Sequence, residues 1–309
     1  MRGAPVLLAL FAAAGCAPEL AATPSGAGDS AAAGSHLAAD PGVDGSQEER
    51  SAAQTSPESY DGPPKRVLVE LFSSQGCNSC PAADAVVGAF PEHGWGRDKV
   101  IALTYHVTYW DDLGWQDPYA QPLFDVRQIG YAQQVAAARD DDETTIRGPY
   151  TPQMVVDGRV HFSGALADVA QRQLTAARNA PTLVHIEAHA EAQGEPGVVS
   201  VAVQSRRDAA ADFDTDQAKV GLFAALSQRS LITKVPRGEN AGKELTEHWV
   251  VRAFAGPKLF RSARELNETK FELAVPDDGV ALGDLEVVVF AQDLATLRVV
   301  GVTSAAVAD

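Results

Sequence analysis

Three cysteines occur in the 309 residues, and their placement constrains the fold more than any other feature. Cys77 and Cys80 form Cys77-Asn78-Ser79-Cys80 between a strand-like run and a helix-like one, while Cys16 stands alone behind an apolar N-terminus. No cysteine is left to staple the rest of the chain. A lone Cys-x-x-Cys pair therefore reads as redox chemistry rather than as a disulfide framework.

The N-terminus carries Arg2, an apolar stretch from Val6 to Ala14 and small residues before Cys16. That is the layout of a secretory signal, too short to remain as a bilayer-spanning helix. Its Ala14-Gly15-Cys16 ending resembles the bacterial lipobox, which implies cleavage after residue 15 and a lipid on Cys16; an ordinary signal peptide cleaved nearby is the alternative. Residues 17–64 are Ala, Gly, Ser, Pro and acid, with eight acidic side chains and only Arg50 as a base. Such a stretch buries too little apolar surface to offset its ordering entropy and reads as a flexible tether. The division expected is a signal peptide over 1–15, a lipidated tether over 16–64, and two folded domains over 65–180 and 181–309. The location expected is the bacterial cell envelope, lipid-anchored at the periplasmic face or secreted. Ala17-Pro18 lacks the acidic residue that signals inner-membrane retention, which points to the outer membrane rather than the inner.

The formal net charge of −16 argues against nucleic acid and against docking on anionic lipid through the protein surface. The run Asp140-Asp141-Asp142-Glu143 reads as a solvated loop, because it lacks the alternating ligands and Gly turn of a calcium loop.

Beyond the tether, Arg66–Phe72 is strand-like, and Pro81–Phe90 places Ala82, Val86 and Phe90 on one helix face. Lys99–Tyr105 is a second buried strand. Asp117-Pro118 opens a helix running to about Ala138, with a capping carboxylate before a first-turn proline. Gln153–Val156 and Arg159–Phe162 form a hairpin around Asp157-Gly158. Ala165–Arg178 lines up Leu166, Val169, Ala170, Leu174 and Ala177 on a helix face. From Pro181 the texture changes to strand-like runs at Leu183–Ala188, Val198–Gln204, Val220–Leu226, His248–Ala253, Lys270–Val275, Leu285–Ala291 and Arg298–Thr303. Short strands at this density suggest a β-sandwich.

Cysteines either side of a two-residue turn at a helix start can close a disulfide with little backbone movement. The N-terminal sulfur meets the free N–H groups and positive end of the helix, which stabilise the attacking thiolate. Pro81 fits a first turn, where the missing N–H costs little. Attack by Cys77 on a substrate disulfide gives a mixed disulfide, which Cys80 resolves. A permanently oxidised clip and half of a zinc site are the competing readings, although no second Cys-x-x-Cys supplies the other two zinc ligands.

Val67–Phe72, the Cys-x-x-Cys and Tyr150-Thr151-Pro152-Gln153-Met154-Val155-Val156-Asp157-Gly158 resemble the thioredoxin fold. Glu70–Asp84, His106–Trp115, Tyr150–Gly158, Arg237–Gly242 and Val250-Val251-Arg252 together resemble a bacterial secreted thioredoxin-like family of unknown function. The fold implied is an α/β thioredoxin-like domain (β-α-β-α-β-β-α) followed by an all-β sandwich-like domain. The resemblance further implies a cis Thr151–Pro152 bond facing the cysteine pair. It puts Glu70 near the position of the buried carboxylate that helps deprotonate the resolving cysteine in thioredoxins, with one extra residue separating it from the pair. It also finds Gly76 where thioredoxins carry tryptophan. His106, at the rim end of the second strand, is a candidate to stabilise the Cys77 thiolate or to act as acid and base. Tyr109, Trp110, Trp115 and Tyr119 are packing residues or the walls of a groove.

The leading function is thiol–disulfide exchange by Cys77 and Cys80, with Thr151, Pro152, Glu70 and His106 in auxiliary roles, on exported proteins bearing thiols or disulfides. It implies no cofactor and no metal. A non-catalytic binding module with a structural disulfide is one alternative. A copper(I)-handling protein using both sulfurs and His106 is another.

Overall fold

The computed structural model describes residues 65–137, 148–194, 197–208, 219–259 and 266–308. The signal peptide, Cys16, the tether and the Asp140–Glu143 run lie outside those residues. No helix among the described residues is long and apolar enough to cross a membrane.

Alternation of side chains builds the centre of the sheet. In β1 (Val67–Ser73), Val67, Val69 and Leu71 face one side, and Leu68, Glu70 and Phe72 face the other. The neighbouring β2 (Val100–His106) is parallel to β1 and divides likewise, with Val100 and Ala102 on the first side and Ile101, Leu103 and Tyr105 on the second. On the first side lie α1 (Cys80–Gly88) and α3 (Ala167–Arg178). Cys80, Ala83, Asp84 and Val87 form the buried stripe of α1, and Val169, Ala170, Leu174 and Ala177 that of α3. Leu166, expected on that stripe, is 40% exposed at the helix entry.

The second side receives α2 (Pro122–Gln134) through Phe124, Gln128 and Tyr131. This helix starts later than Asp117-Pro118. Pro122 takes its first turn, while the Asp117 carboxylate accepts the Gln75 N–H at 2.8 Å and the Tyr119 N–H at 2.9 Å. It also ends earlier: Val135 is extended, and Ala136–Ala137 forms the short strand β3 beside β5. The hairpin of β4 (Gln153–Val156) and β5 (Val160–Ser163) turns on Asp157 (φ 50°) and Gly158 (φ 62°). A Cβ on Gly158 would fall 1.9 Å from the Leu297 carbonyl oxygen, so the position has neither the backbone freedom nor the space for a side chain.

Each of the seven later runs forms a strand: β6 (Val184–Gln193), β7 (Val198–Arg207), β8 (Val220–Lys234), β9 (Glu244–Leu259), β10 (Asn267–Ala274), β11 (Leu285–Asp293) and β12 (Val299–Ala308). They do not make a separate sandwich. The twelve strands of the described residues form one mixed sheet, in the order β10-β7-β6-β12-β11-β8-β9-β2-β1-β4-β5-β3. The expectation of an α/β thioredoxin-like domain followed by an all-β sandwich-like domain is thereby overturned.

The physical reason lies at β2. That strand is buried along its whole length, and an open edge there would strand its backbone groups. β9 runs beside it in parallel, Thr104 opposite Val250, and the Thr104 hydroxyl donates to the His248 carbonyl at 2.7 Å. β8 and β9 span 15 and 16 residues, far longer than the apolar runs that announced them, and so reach from the later strands to β2.

The core follows the sheet across the join. One cluster unites Phe72, Tyr105, Phe124 and Tyr131 with Phe223, Val288, Phe290 and Val299. A second packs Val199, Val201, Phe271 and Leu273 against Leu222, Ala224, Val287 and Val289, so the far end of the sheet folds over its middle.

Candidate functional site

A disulfide joins Cys77 and Cys80 at the entrance of α1, with their Cα atoms 5.4 Å apart. Cys80 is the first residue of the helix and Pro81 lies in its first turn. Both cysteines are buried, at 0% and 1% exposure, while Asn78 and Ser79 between them are exposed. The Ser79 hydroxyl lies 3.3 Å from the Cys77 sulfur.

The Thr151–Pro152 peptide is cis. Trp110 links that bond to the cysteine loop: its indole N–H donates to the Thr151 hydroxyl at 2.8 Å, and its Cβ would lie 3.0 Å from a Cβ on Gly76. A side chain at Gly76, where thioredoxins carry tryptophan, would press on Trp110, so the aromatic residue next to this position comes from the β2–α2 connection. Trp115 belongs to the same connection and donates its indole N–H to the Gln75 side-chain oxygen at 3.0 Å. Tyr119 stands edge-on to the His106 ring, with 5.8 Å between centroids.

His106 is fully buried beneath the loop. Its Nδ1 lies 2.7 Å from an Asp117 oxygen and its Nε2 3.5 Å from a Glu247 oxygen. Burial opposes the charged ring, yet the two carboxylates outweigh it and raise its pKa to about 9. Burial likewise raises the Asp117 carboxyl, but the His106 charge and hydrogen bond prevail and hold it below its ordinary value. Both ring nitrogens thus address carboxylates.

Two carboxylates missed in the sequence complete this polar floor. Asp84, one turn after Cys80 on the buried stripe of α1, accepts the Ser73 hydroxyl at 3.3 Å. Burial, reinforced by the negative charge of Glu247, pushes its pKa up to about 7. Among the described residues its Oδ1 has no hydrogen-bond partner. Glu247 on β9 accepts the Gln75 side-chain amide at 2.7 Å, and burial raises its pKa too. An acid four residues after a cysteine within an apolar helix stripe was a readable signal for Asp84. Nothing local announced Glu247, 172 residues from Gln75.

Glu70 is placed elsewhere. It lies on the face of β1 away from α1, where Oε1 accepts Arg127 Nε at 2.6 Å and Oε2 accepts the Tyr131 hydroxyl. The carboxylate on the cysteine side of the sheet is Asp84.

The β8–β9 connection closes over the loop. Asn240, itself fully buried, donates its side-chain amide to the carbonyls of Gln75 and Cys77, both at 2.9 Å. Glu239 accepts the Asn78 N–H at 3.2 Å.

Comparison with curated proteins gives no match. Among solved structures, protein AGR_C_4864 from Agrobacterium tumefaciens is 22% identical, with a TM-score of 0.55 over 79% of this chain and 95% of that one. HBP35 of Porphyromonas gingivalis is 15% identical, with a TM-score of 0.56 over 80% of this chain and 76% of that one. At these identities the likeness is one of fold. A family model described as "Protein of unknown function (DUF1223)" matches residues 68–292, more than half of the sequence, and the chain belongs to that family.

Proposed function

We propose that the protein is a thiol–disulfide exchange protein acting through Cys77 and Cys80 on exported proteins, anchored in the bacterial cell envelope by a lipid on Cys16. The observation that carries the reading is the disulfide at the start of α1, whose Cys80 shares the buried stripe of that helix with Asp84, a carboxyl able to hold a proton near neutrality.

In the reduced protein, the Cys77 thiolate attacks one sulfur of a substrate disulfide. The substrate S–S bond breaks, and its other sulfur leaves as a thiolate that takes up a proton. Cys80, once deprotonated, attacks Cys77 in the mixed disulfide, releases the second substrate thiol and closes Cys77–Cys80. Two electrons pass to the substrate, and the reverse sequence oxidises a substrate dithiol. Asp84, on the helix face of Cys80, is the group suited to take the resolving proton. His106 sits one layer below and holds Asp117, which in turn holds the Gln75 backbone.

A structural disulfide is favoured by one observation, the complete burial of Cys77. The reduction potential separates the two. Equilibration in glutathione buffers with thiol trapping is expected to give a value between about −120 and −270 mV for an exchange pair. A value below about −300 mV marks a clip that resists the glutathione pool. Metabolic labelling with a fatty-acid analogue, lost in Cys16→Ser, tests the anchor.

A further inference from the structure

We propose that Asn240 and Glu239, at the tip of the β8–β9 hairpin, are positioning residues that clasp the backbone around Cys77 and set how readily its sulfur is attacked. The inference rests on the exchange reading above and names the part of the site that controls it.

The clasp is built from three backbone groups of the cysteine loop. Asn240 bridges the carbonyls of Gln75 and Cys77 with its two amide hydrogens, so one side chain holds the Gln75–Gly76 and Cys77–Asn78 peptides on either side of Cys77. Lys243 donates to the Asn240 side-chain oxygen at 2.9 Å and fixes which end of the amide faces the loop. Glu239 takes the next N–H, that of Asn78. The tip is itself closed by backbone bonds: Gly242 N–H to the Val235 carbonyl at 2.8 Å, Val235 N–H to Lys243 at 3.0 Å and Ala241 N–H to Gly238 at 3.1 Å. Gly238 rests on Trp115, the residue that holds the Gln75 side chain; a Cβ at Gly238 would lie 3.1 Å from that of Trp115.

Two consequences follow. Cys77 is enclosed although Asn78 and Ser79 are exposed, and the backbone that must shift to admit an incoming thiolate is held by the tip. Glu239 also occupies an N–H at the start of α1 that a Cys77 thiolate would use, and places a carboxylate beside it. Both effects disfavour the thiolate and protect the disulfide.

The test is the rate at which dithiothreitol reduces the pair in the full-length protein at pH 7, with thiols trapped over time. A dithiothreitol thiolate attacks Cys77, and Cys80 leaves as a thiolate and is protonated. The second dithiothreitol thiol then displaces Cys77, forming the cyclic disulfide and the Cys77–Cys80 dithiol. Asn240→Ala is expected to speed reduction at least about tenfold through loss of two bonds to a buried loop. Glu239→Gln, an exposed change that leaves the fold intact, is expected to speed it about two- to fivefold and to shift the glutathione equilibrium toward the dithiol by a similar factor. Glu268→Gln on β10 serves as the control.

Rates equal to wild type in both clasp variants overturn the proposal, as does acceleration that only tracks a loss of global urea stability. A wild-type pair that resists glutathione while the variants still gain in dithiothreitol removes the exchange reading and leaves the clasp standing. A wild-type pair that exchanges with glutathione alongside unchanged variants removes the clasp alone.

Discussion

Replacing Arg127 by methionine tests whether the chain has one core or two. The guanidinium donates Nε to Glu70 on β1 at 2.6 Å, Nη1 to Gln292 on β11 at 3.2 Å and Nη2 to the Tyr131 hydroxyl at 2.8 Å. It lies 5.1–5.8 Å from the rings of Tyr105, Tyr131, Phe223, Phe254 and Phe290. Methionine fills much of the same volume, so the main cost is electrostatic: Glu70, 1% exposed, keeps the Tyr131 hydroxyl but loses its cation. Breaking a buried pair in this way costs about 3–5 kcal/mol. The arginine side chain is 11% exposed, which places the cost near the lower end, about 3 kcal/mol. At about 2–4 °C per kcal/mol for a chain of this size, Arg127→Met lowers the melting temperature by about 6–12 °C. Scanning calorimetry reads both the shift and the number of transitions. One transition, moved as a whole, is expected, because the contact spans β1, α2 and β11. A shift under about 2 °C, or a melt that splits with its upper part unmoved, refutes the one-core argument. Adding Glu70→Gln to Arg127→Met removes the stranded charge and is expected to recover at least half of the loss.

Asp84 gives a pH-dependent prediction. Its pKa rises from 3.8 in the unfolded chain to about 7 in the fold, so the native state binds the extra proton between those values and stability falls as pH rises through them. Urea denaturation of Asp84→Asn is expected to remove this loss, improving the variant relative to wild type by about 2–4 kcal/mol on going from pH 4 to pH 8; a pH-independent difference counts against it. His106 acts in the same sense at higher pH. Its bonus is complete below pH 6.5 and disappears as pH climbs through about 9, so NMR should show an imidazole titrating near pH 9 that is missing in His106→Gln. Gly158→Ala meets the Leu297 carbonyl in a left-handed turn and is expected to cost at least about 1–3 kcal/mol in denaturant melts.

Local pattern made much of this molecule readable. Val67–Ser73, Gln153–Val156 and the stripe Val169, Ala170, Leu174 and Ala177 obey periods that burial enforces residue by residue. Pairing between distant strands leaves no such mark. A buried strand such as β2 looks the same whether its neighbour is solvent-covering chain or β9, and that choice decided the architecture. The same limit governed the site. Cys77, Cys80 and the Thr151–Pro152 bond could be named from spacing and resemblance, whereas Glu70 and Asp84 differ only in which face of the sheet they meet. Asp117 has the look of a helix cap, but its oxygens serve His106 and the Gln75 backbone, partners known only once β2 and the cysteine loop are adjacent.

The union of β9 with β2 also has a meaning in time. Gln75 and Cys77 are roofed by Asn240, 165 and 163 residues further on, and floored by Glu247. A chain made from its N-terminus exposes both cysteines long before the residues that enclose them exist, and contacts of such sequence separation form late. The sulfurs are among the first groups of the folded region to emerge and among the last to be sealed. Throughout that interval they are open to whatever oxidant or thiol the surroundings hold, so the pair can gain or lose electrons before its own roof closes.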